Sequence, residues 1–193
     1  MGDIGKTFTG LAGKSSADFG HGEGRFVTYM NVFSNVIANP AMIEPIEIDS
    51  KQNTVRYGDV FFTTSSETPD EVGMSSIWLE NTPNTYLNSF CFGFRPQIEV
   101  DSVYLAYALR SNAFRKKIIL LAQGISRYNI SKSKAMELEM AFPSLTEQKQ
   151  VGEYFLNLDN LITLHQRERF GFISTNLIMN ALPSQHPCSL TLE

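Results

Sequence analysis

Two hydrophobic periods divide the chain. Up to about residue 100, apolar positions fall in short alternating or continuous runs broken by polar clusters, which is the pattern of strands and loops. Beyond Asp101 they recur every three or four residues, which is the pattern of helices. In the first part, residues 10–24 are Gly/Ser-rich and predict an exposed loop. Residues 25–32, β-branched and aromatic, predict a strand; residues 43–48 predict a short edge strand, and residues 49–53 a turn. Residues 55–64 read as a turn feeding a buried strand and 65–76 as a polar loop. Trp78 and Leu79 read as the start of another strand, and 89–94 as one more. In the second part, Asp101 or Ser102 caps a helix that carries Tyr104, Leu105, Ala108 and Leu109 on one face. A further helix from about Ala113 turns Phe114, Ile118, Leu121 and Ala122 inward, leaves Lys116 and Lys117 outward, and stops at Gly124. Residues 124–133 read as a polar loop, and 137–142 alternate like a last strand before Pro143.

Ser144-Leu145-Thr146-Glu147 is a capping box, with Ser at the N-cap and Glu at the third helical position. The helix it opens keeps a 4-3 apolar repeat, Val151, Phe155, Leu158, Ile162 and His165, flanked by Tyr154 and Leu161. That spacing fits a coiled-coil seam, and equally an amphipathic helix lying on its own domain. Its place after a proline stop favours an arm, which over residues 145–168 would be ~36 Å long at 1.5 Å per residue. Gly171 is expected to interrupt it, and Pro183 and Pro187 to end it. The fold class expected is therefore α+β (mixed α/β): a globular domain over 1–143, a long C-terminal coiled-coil-forming helix over 144–182, and a tail over 183–193.

Composition narrows the function classes. The chain has 193 residues, of which 42% are hydrophobic and 19% charged, as in ordinary globular proteins. No apolar run approaches membrane-spanning length, and the first residues lack a basic region followed by an apolar one, so a cytoplasmic location without membrane contact is expected. Cys91 and Cys188 cannot make a disulfide framework, and the scattered histidines offer no zinc spacing. Net charge is −4, yet Arg110, Arg115, Lys116, Lys117, Arg127, Lys132 and Lys134 follow one another with no acidic residue between them. Such a stripe suits a polyanion, and it also suits a solvated helix face.

Catalytic motifs mostly fail. Gly5-Lys6-Thr7 and Gly13-Lys14-Ser15 end like phosphate-binding loops without the earlier glycine; Phe8 stands where the second would need it. Residues 20–24 are glycine-rich with no strand and helix to frame them. Asn39-Pro40-Ala41-Met42 departs from the tetrad of amino-methyltransferases at its last two positions. Asp49-Ser50-Lys51, with Asp18 or Glu23, could form a magnesium-dependent nuclease site, although Gln52-Asn53 also makes it a solvated turn. Cys91, between Phe90 and Phe92, has the setting of a buried thiol.

Three segments carry a resemblance: Gln123-Gly124-Ile125-Ser126-Arg127-Tyr128-Asn129-Ile130-Ser131, then Phe142-Pro143-Ser144-Leu145-Thr146-Glu147-Gln148-Lys149-Gln150, then Leu158-Asp159-Asn160-Leu161-Ile162. With Gly58-Asp59-Val60-Phe61-Phe62-Thr63, they resemble the specificity subunits of type I restriction-modification enzymes over roughly residues 2–169. The resemblance implies a non-catalytic module that reads double-stranded DNA, docks methyltransferase subunits and is joined by a restriction-translocase subunit. S-adenosylmethionine would then sit on the methyltransferase and no cofactor on this chain. Family members usually carry two recognition domains and two helices paired antiparallel. This chain has one of each, so a homodimer reading an interrupted palindrome is expected, paired through Val151, Phe155, Leu158, Ile162 and His165. Lys116, Lys117, Lys132 and Lys134 are the expected phosphate contacts. Arg127, Tyr128 and Asn129 form one expected base-reading loop, and Thr63, Thr64, Ser65, Ser66 and Glu67 a second. The alternatives are the nuclease fragment and a decoy half-subunit that binds methyltransferase unproductively.

Overall fold

A computed structural model describes the backbone of residues 1–181 and the side chains of residues 1–168. The expected tail and Cys188 lie outside the described residues. The elements in chain order are β1 (Gly5–Thr9), β2 (Phe19–Val27), α1 (Tyr29–Ser34), β3 (Ile43–Ile46), β4 (Val60–Thr63), β5 (Ser65–Ser66), β6 (Ser75–Ile77), β7 (Thr85–Leu87), β8 (Cys91–Pro96), α2 (Ser102–Arg110), α3 (Asn112–Ile119), β9 (Tyr128–Asn129), α4 (Lys132–Met136) and α5 (Leu145–Ala181). Residues 1–153 form one unit and a second begins at Tyr154. Among the described residues, no helix is long and apolar enough to cross a membrane.

The central sheet has the order β1-β8-β4-β6, with antiparallel pairs throughout. Its middle strands explain the continuous apolar run at 60–62, because successive side chains point to opposite faces and both faces are covered. Val60, Phe62, Phe92 and Phe94 pack with Leu105, Leu109, Phe114 and Ile118 of α2 and α3. Phe61 and Cys91 point the other way, into a cluster with Val27, Val32, Trp78 and Leu87. Each fully buried side chain of this size contributes ~1.5–3 kcal/mol. Gly93 has a packing reason: a side chain there would collide with the Phe8 ring across the β1–β8 ladder. A second sheet, β3-β2-β7, pairs β2 antiparallel to β3 and parallel to β7.

Several expectations are corrected. The strand over 25–32 ends at Val27, and Tyr29–Ser34 is helical, capped by Thr28, whose Oγ1 accepts the Asn31 N–H at 3.2 Å. Buried Asn31 holds the turn that follows: its amide donates to the Asn39 and Met42 carbonyls at 2.8 and 3.0 Å. The glycine-rich loop is shorter than expected, because β2 already begins at Phe19 and bulges between Phe19 and Gly24. The strand placed at Trp78 is β6, three residues earlier, and β1 and β7 add strands that the sequence pattern did not mark. Residues 137–142 join no sheet. Their alternation is real, since Leu138, Met140 and Phe142 pack on the main core, but two of the segment's carbonyls take donors from outside any sheet. The Met1 amino group donates to Leu138 at 2.7 Å and Lys117 Nζ to Glu139 at 2.7 Å. Gly171 does not interrupt α5, which runs to Ala181.

The capping box forms as expected. Ser144 donates to Glu147 through its N–H at 3.0 Å and its hydroxyl at 2.7 Å, and Ser144 Oγ accepts the Glu147 N–H at 3.3 Å. These bonds hold the Glu147 carboxyl below its usual range.

Candidate nucleic-acid interface

The two segments expected to read bases lie far apart in sequence and meet in space. Ser65 pairs with Asn129 and Ser66 with Tyr128, so β5 and β9 make an antiparallel two-stranded ribbon. The Ile130 N–H extends it by donating to Thr64 O at 3.0 Å. On the far side, Gln123 and Asn129 exchange backbone hydrogen bonds of 2.9 and 2.8 Å, closing a hairpin whose tip is Gly124-Ile125-Ser126-Arg127. Tyr128 packs on the main core and Ile130 is buried within it, so the hairpin is anchored at its base. Gly124 has φ +143°, and a Cβ there would strike the Arg127 carbonyl. Only glycine closes this tip without strain.

Support comes from residues beneath the ribbon. Thr63 is buried, and its hydroxyl accepts the Met74 N–H at 3.0 Å. Thr64 donates to the Phe90 carbonyl through its N–H at 3.0 Å and its hydroxyl at 2.9 Å. Ser66 Oγ donates to Glu71 at 3.3 Å and Thr68 Oγ1 to the same carboxylate oxygen at 2.8 Å. Thr63, Ser65 and Ser66 are thus buried parts of the ribbon's frame, whereas Glu67, Arg127 and Asn129 are exposed. Tyr29, which the sequence did not mark, donates its hydroxyl to Ser65 O at 2.8 Å and stacks on Phe33. Burial raises its pKa above the usual phenol value, and the Arg127 charge is among the influences that oppose the rise.

The basic stripe divides in two. Arg110 and Arg115 are turned inward. Arg110 donates to the carbonyls of Val32, Phe33 and Asn35 at 2.8, 2.9 and 3.0 Å and to Ser75 O at 2.6 Å. Burial lowers its pKa to about 10, which still leaves it protonated at neutral pH. Arg115 donates to Asp70 O, Val72 O and Gly73 O at 2.7, 2.8 and 2.8 Å, and burial lowers its pKa as well. Both therefore bind the backbone that carries β6 and the segment after β5. Lys116 and Lys117 are exposed on α3, Lys134 is exposed on α4 and Lys132 is partly so.

Asp49 has other work than holding a metal. Lys14 Nζ lies 2.9 Å from its Oδ2, the Lys51 N–H donates to Oδ1 at 3.0 Å, and Gln52 Nε2 donates to Oδ2 at 3.3 Å. The Lys14 contact leads these in lowering its pKa to about 2. Among the described residues, no three His, Cys, Asp or Glu side chains are grouped to hold a metal ion. Cys91 is a buried thiol whose pKa is raised by desolvation, unsuited to nucleophilic work.

The remaining motif residues have structural reasons. Asp59 is fully buried and takes two 2.7 Å hydrogen bonds from the Arg95 guanidinium, which also lies 5.1 Å over the Phe8 ring. Gly58, at φ +81°, makes the turn before it. Gln148 is buried, accepts the Asp101 N–H at 3.0 Å and donates to Pro143 O at 2.9 Å, tying the start of α5 to the N-terminus of α2. Further along α5, Val151, Phe155, Leu158 and Ile162 are 39–47% exposed, and His165 is exposed as well.

A family model described as the type I restriction modification DNA specificity domain matches residues 3–169. No curated protein matches by sequence. Among solved structures, the S subunit of a type I restriction-modification system from M. genitalium matches with a TM-score of 0.54 and 16% identity, over 87% of this chain and 41% of that one. The HsdS subunit from Thermoanaerobacter tengcongensis matches with 0.58 and 17%, over 86% and 38%. A structure described for the complex assembly and conformational transition of the type I R-M system matches with 0.62 and 16%, over 90% and 40%. At such identities the likeness is one of fold, and the chain spans about two fifths of the length of these relatives.

Proposed function

Because the chain belongs to the type I restriction modification DNA specificity domain family, whose members are non-catalytic, we propose that it is a sequence-specific DNA-recognition subunit that works as a homodimer. Two copies pair through the apolar positions of α5, each contributing one recognition domain. Two-fold symmetry makes the target an interrupted palindrome. The dimer positions methyltransferase subunits, which hold S-adenosylmethionine, and accepts a restriction-translocase subunit.

The observation that carries this reading is the β5–β9 ribbon. Two-stranded ribbons fit the DNA major groove, where Arg can pair bidentately with guanine and Asn with adenine. Arg127 and Asn129 are exposed on one strand of the ribbon and its hairpin, within a stretch of the chain that carries basic residues and no acidic ones. Lys116, Lys132 and Lys134 supply phosphate contacts, which position the module without specifying sequence. Lys117 joins them while its ammonium retains the bond to Glu139 O.

The test is light scattering of the full chain, alone and with its methyltransferase subunit, followed by mapping of the methylated site. A dimer of twice 21.7 kDa that captures two methyltransferases and directs methylation to a palindrome is expected. A monomer, or an asymmetric site, would overturn the symmetric half-subunit. Capture of methyltransferase with no methylation at any sequence would instead support a decoy.

A further inference from the structure

The tip of the ribbon's hairpin presents an apolar side chain to solvent. Ile125 is 97% exposed. Its hairpin is fastened at the base: Gln123 and Asn129 close it, Tyr128 and Ile130 pack in the core, and Gly124 folds the tip against Arg127. The hairpin's backbone pairing and its buried base therefore hold an isoleucine two positions from Arg127, where a bound partner could cover it and gain the burial of its apolar surface. The hairpin's own stretch contributes Arg127, Lys132 and Lys134, while the facing strand leads into Glu67 and Glu71, whose carboxylate is held by Ser66 and Thr68; a partner at the tip itself meets Arg127 first.

Resting on the DNA-recognition reading above, we propose that Ile125 is a specificity-determining residue that reads the C5-methyl group of a thymine in the major groove. Thymine is the base whose major-groove edge offers an apolar feature, so an apolar side chain beside an Arg and an Asn completes a readout those two cannot make. The contact adds no charge. It therefore contributes preference for one base without altering the salt dependence of binding.

The experiment is a double-mutant cycle between protein and DNA. The full chain with its methyltransferase selects duplexes from a randomised pool. Each thymine of the enriched site is then replaced by uracil, which removes only the methyl. At one thymine per half-site, the replacement should weaken wild-type binding about fourfold, the value of one buried methyl group. Ile125→Ser should weaken binding to the thymine duplex, leave the salt slope unchanged, and be indifferent to the uracil replacement. Ile125→Val, which keeps an apolar branch, should stay sensitive to it. Equal sensitivity of wild type and Ile125→Ser at every thymine would overturn the proposal. So would unchanged DNA binding by Ile125→Ser with weaker capture of methyltransferase in the absence of DNA, since that would make Ile125 a protein contact. A wild-type selection that enriches no sequence would overturn the recognition reading itself, an outcome distinct from both.

Discussion

Replacing Arg115 by methionine should destabilise the fold and leave the electrostatics of DNA binding almost untouched. The guanidinium is buried and donates to three carbonyls, Asp70, Val72 and Gly73, two of those bonds being fully buried. Methionine fills similar volume but donates nothing. The buried Val72 and Gly73 carbonyls then lose this donor at ~1–3 kcal/mol each, so the expected loss is about 3–4 kcal/mol. Lysine keeps the charge, but its single ammonium cannot reproduce the planar fork, so Arg115→Lys should lose about half as much. Urea denaturation measures both, and amide hydrogen exchange should accelerate first in residues 70–75. A loss below about 1 kcal/mol would refute the bridging role. So would a flattening of the salt slope as large as that caused by Lys116→Glu, because it would place Arg115 among the phosphate contacts.

Reversing charge at Lys116 and Lys117 should weaken binding to every DNA sequence and flatten the salt dependence by about one to two counterions, read from binding isotherms at several salt concentrations; an unchanged slope removes them from the interface. Gly152→Val should dislodge the first turns of α5 from α2, since a Cβ there would meet the Tyr104 N–H and the Asp101 carboxylate. The expected loss is ~1–3 kcal/mol in denaturant melts, and a neutral result would mean that α5 docks elsewhere. The protonated His21 ring donates through Nε2 to the Ala17 carbonyl at 2.8 Å and through Nδ1 to the Glu47 carboxylate at 3.0 Å, and the Ala17 carbonyl leads in raising its pKa. A raised folded pKa means its stabilisation is fully present below pH 6.5 and fades as pH rises through the folded value. Proton NMR of the ring should show the raised titration, and Glu47→Gln should lower it.

Helix phase is what separates the legible part of the site from the hidden part. The run at 60–62, the caps at Asp101 and Ser144, and the inward face of Phe114 and Ile118 follow from contacts within a few residues, and they stand as the sequence pattern implies. Counting charge along 110–134 ignores phase. Arg115 stands three residues before Ile118, and Arg110 four after Ala106, so each shares a side of its helix with a buried residue. Read that way, the two arginines belong inside, where they hold backbone carbonyls, and Lys116, with no buried residue three or four positions away on α3, belongs outside; Lys117, three after Phe114, reaches the surface through its long side chain. The β5–β9 ribbon had no such local mark. Ser65-Ser66 and Tyr128-Asn129 are short, polar and far apart in the chain, and their pairing depends on Ile130, Thr64 and the arginine-held segment around Gly73. Gly73 itself, at φ +64°, leaves room for the side-chain ends of Ile118 and Ile130, so one turn joins α3, the hairpin and the Arg115 clamp. The frame of the candidate reading surface is thus built from residues that touch no DNA in the proposed mode. In that mode, variation in Arg127, Asn129 and Ile125 would change the bases read while Arg110, Arg115 and Gly73 keep the ribbon in place.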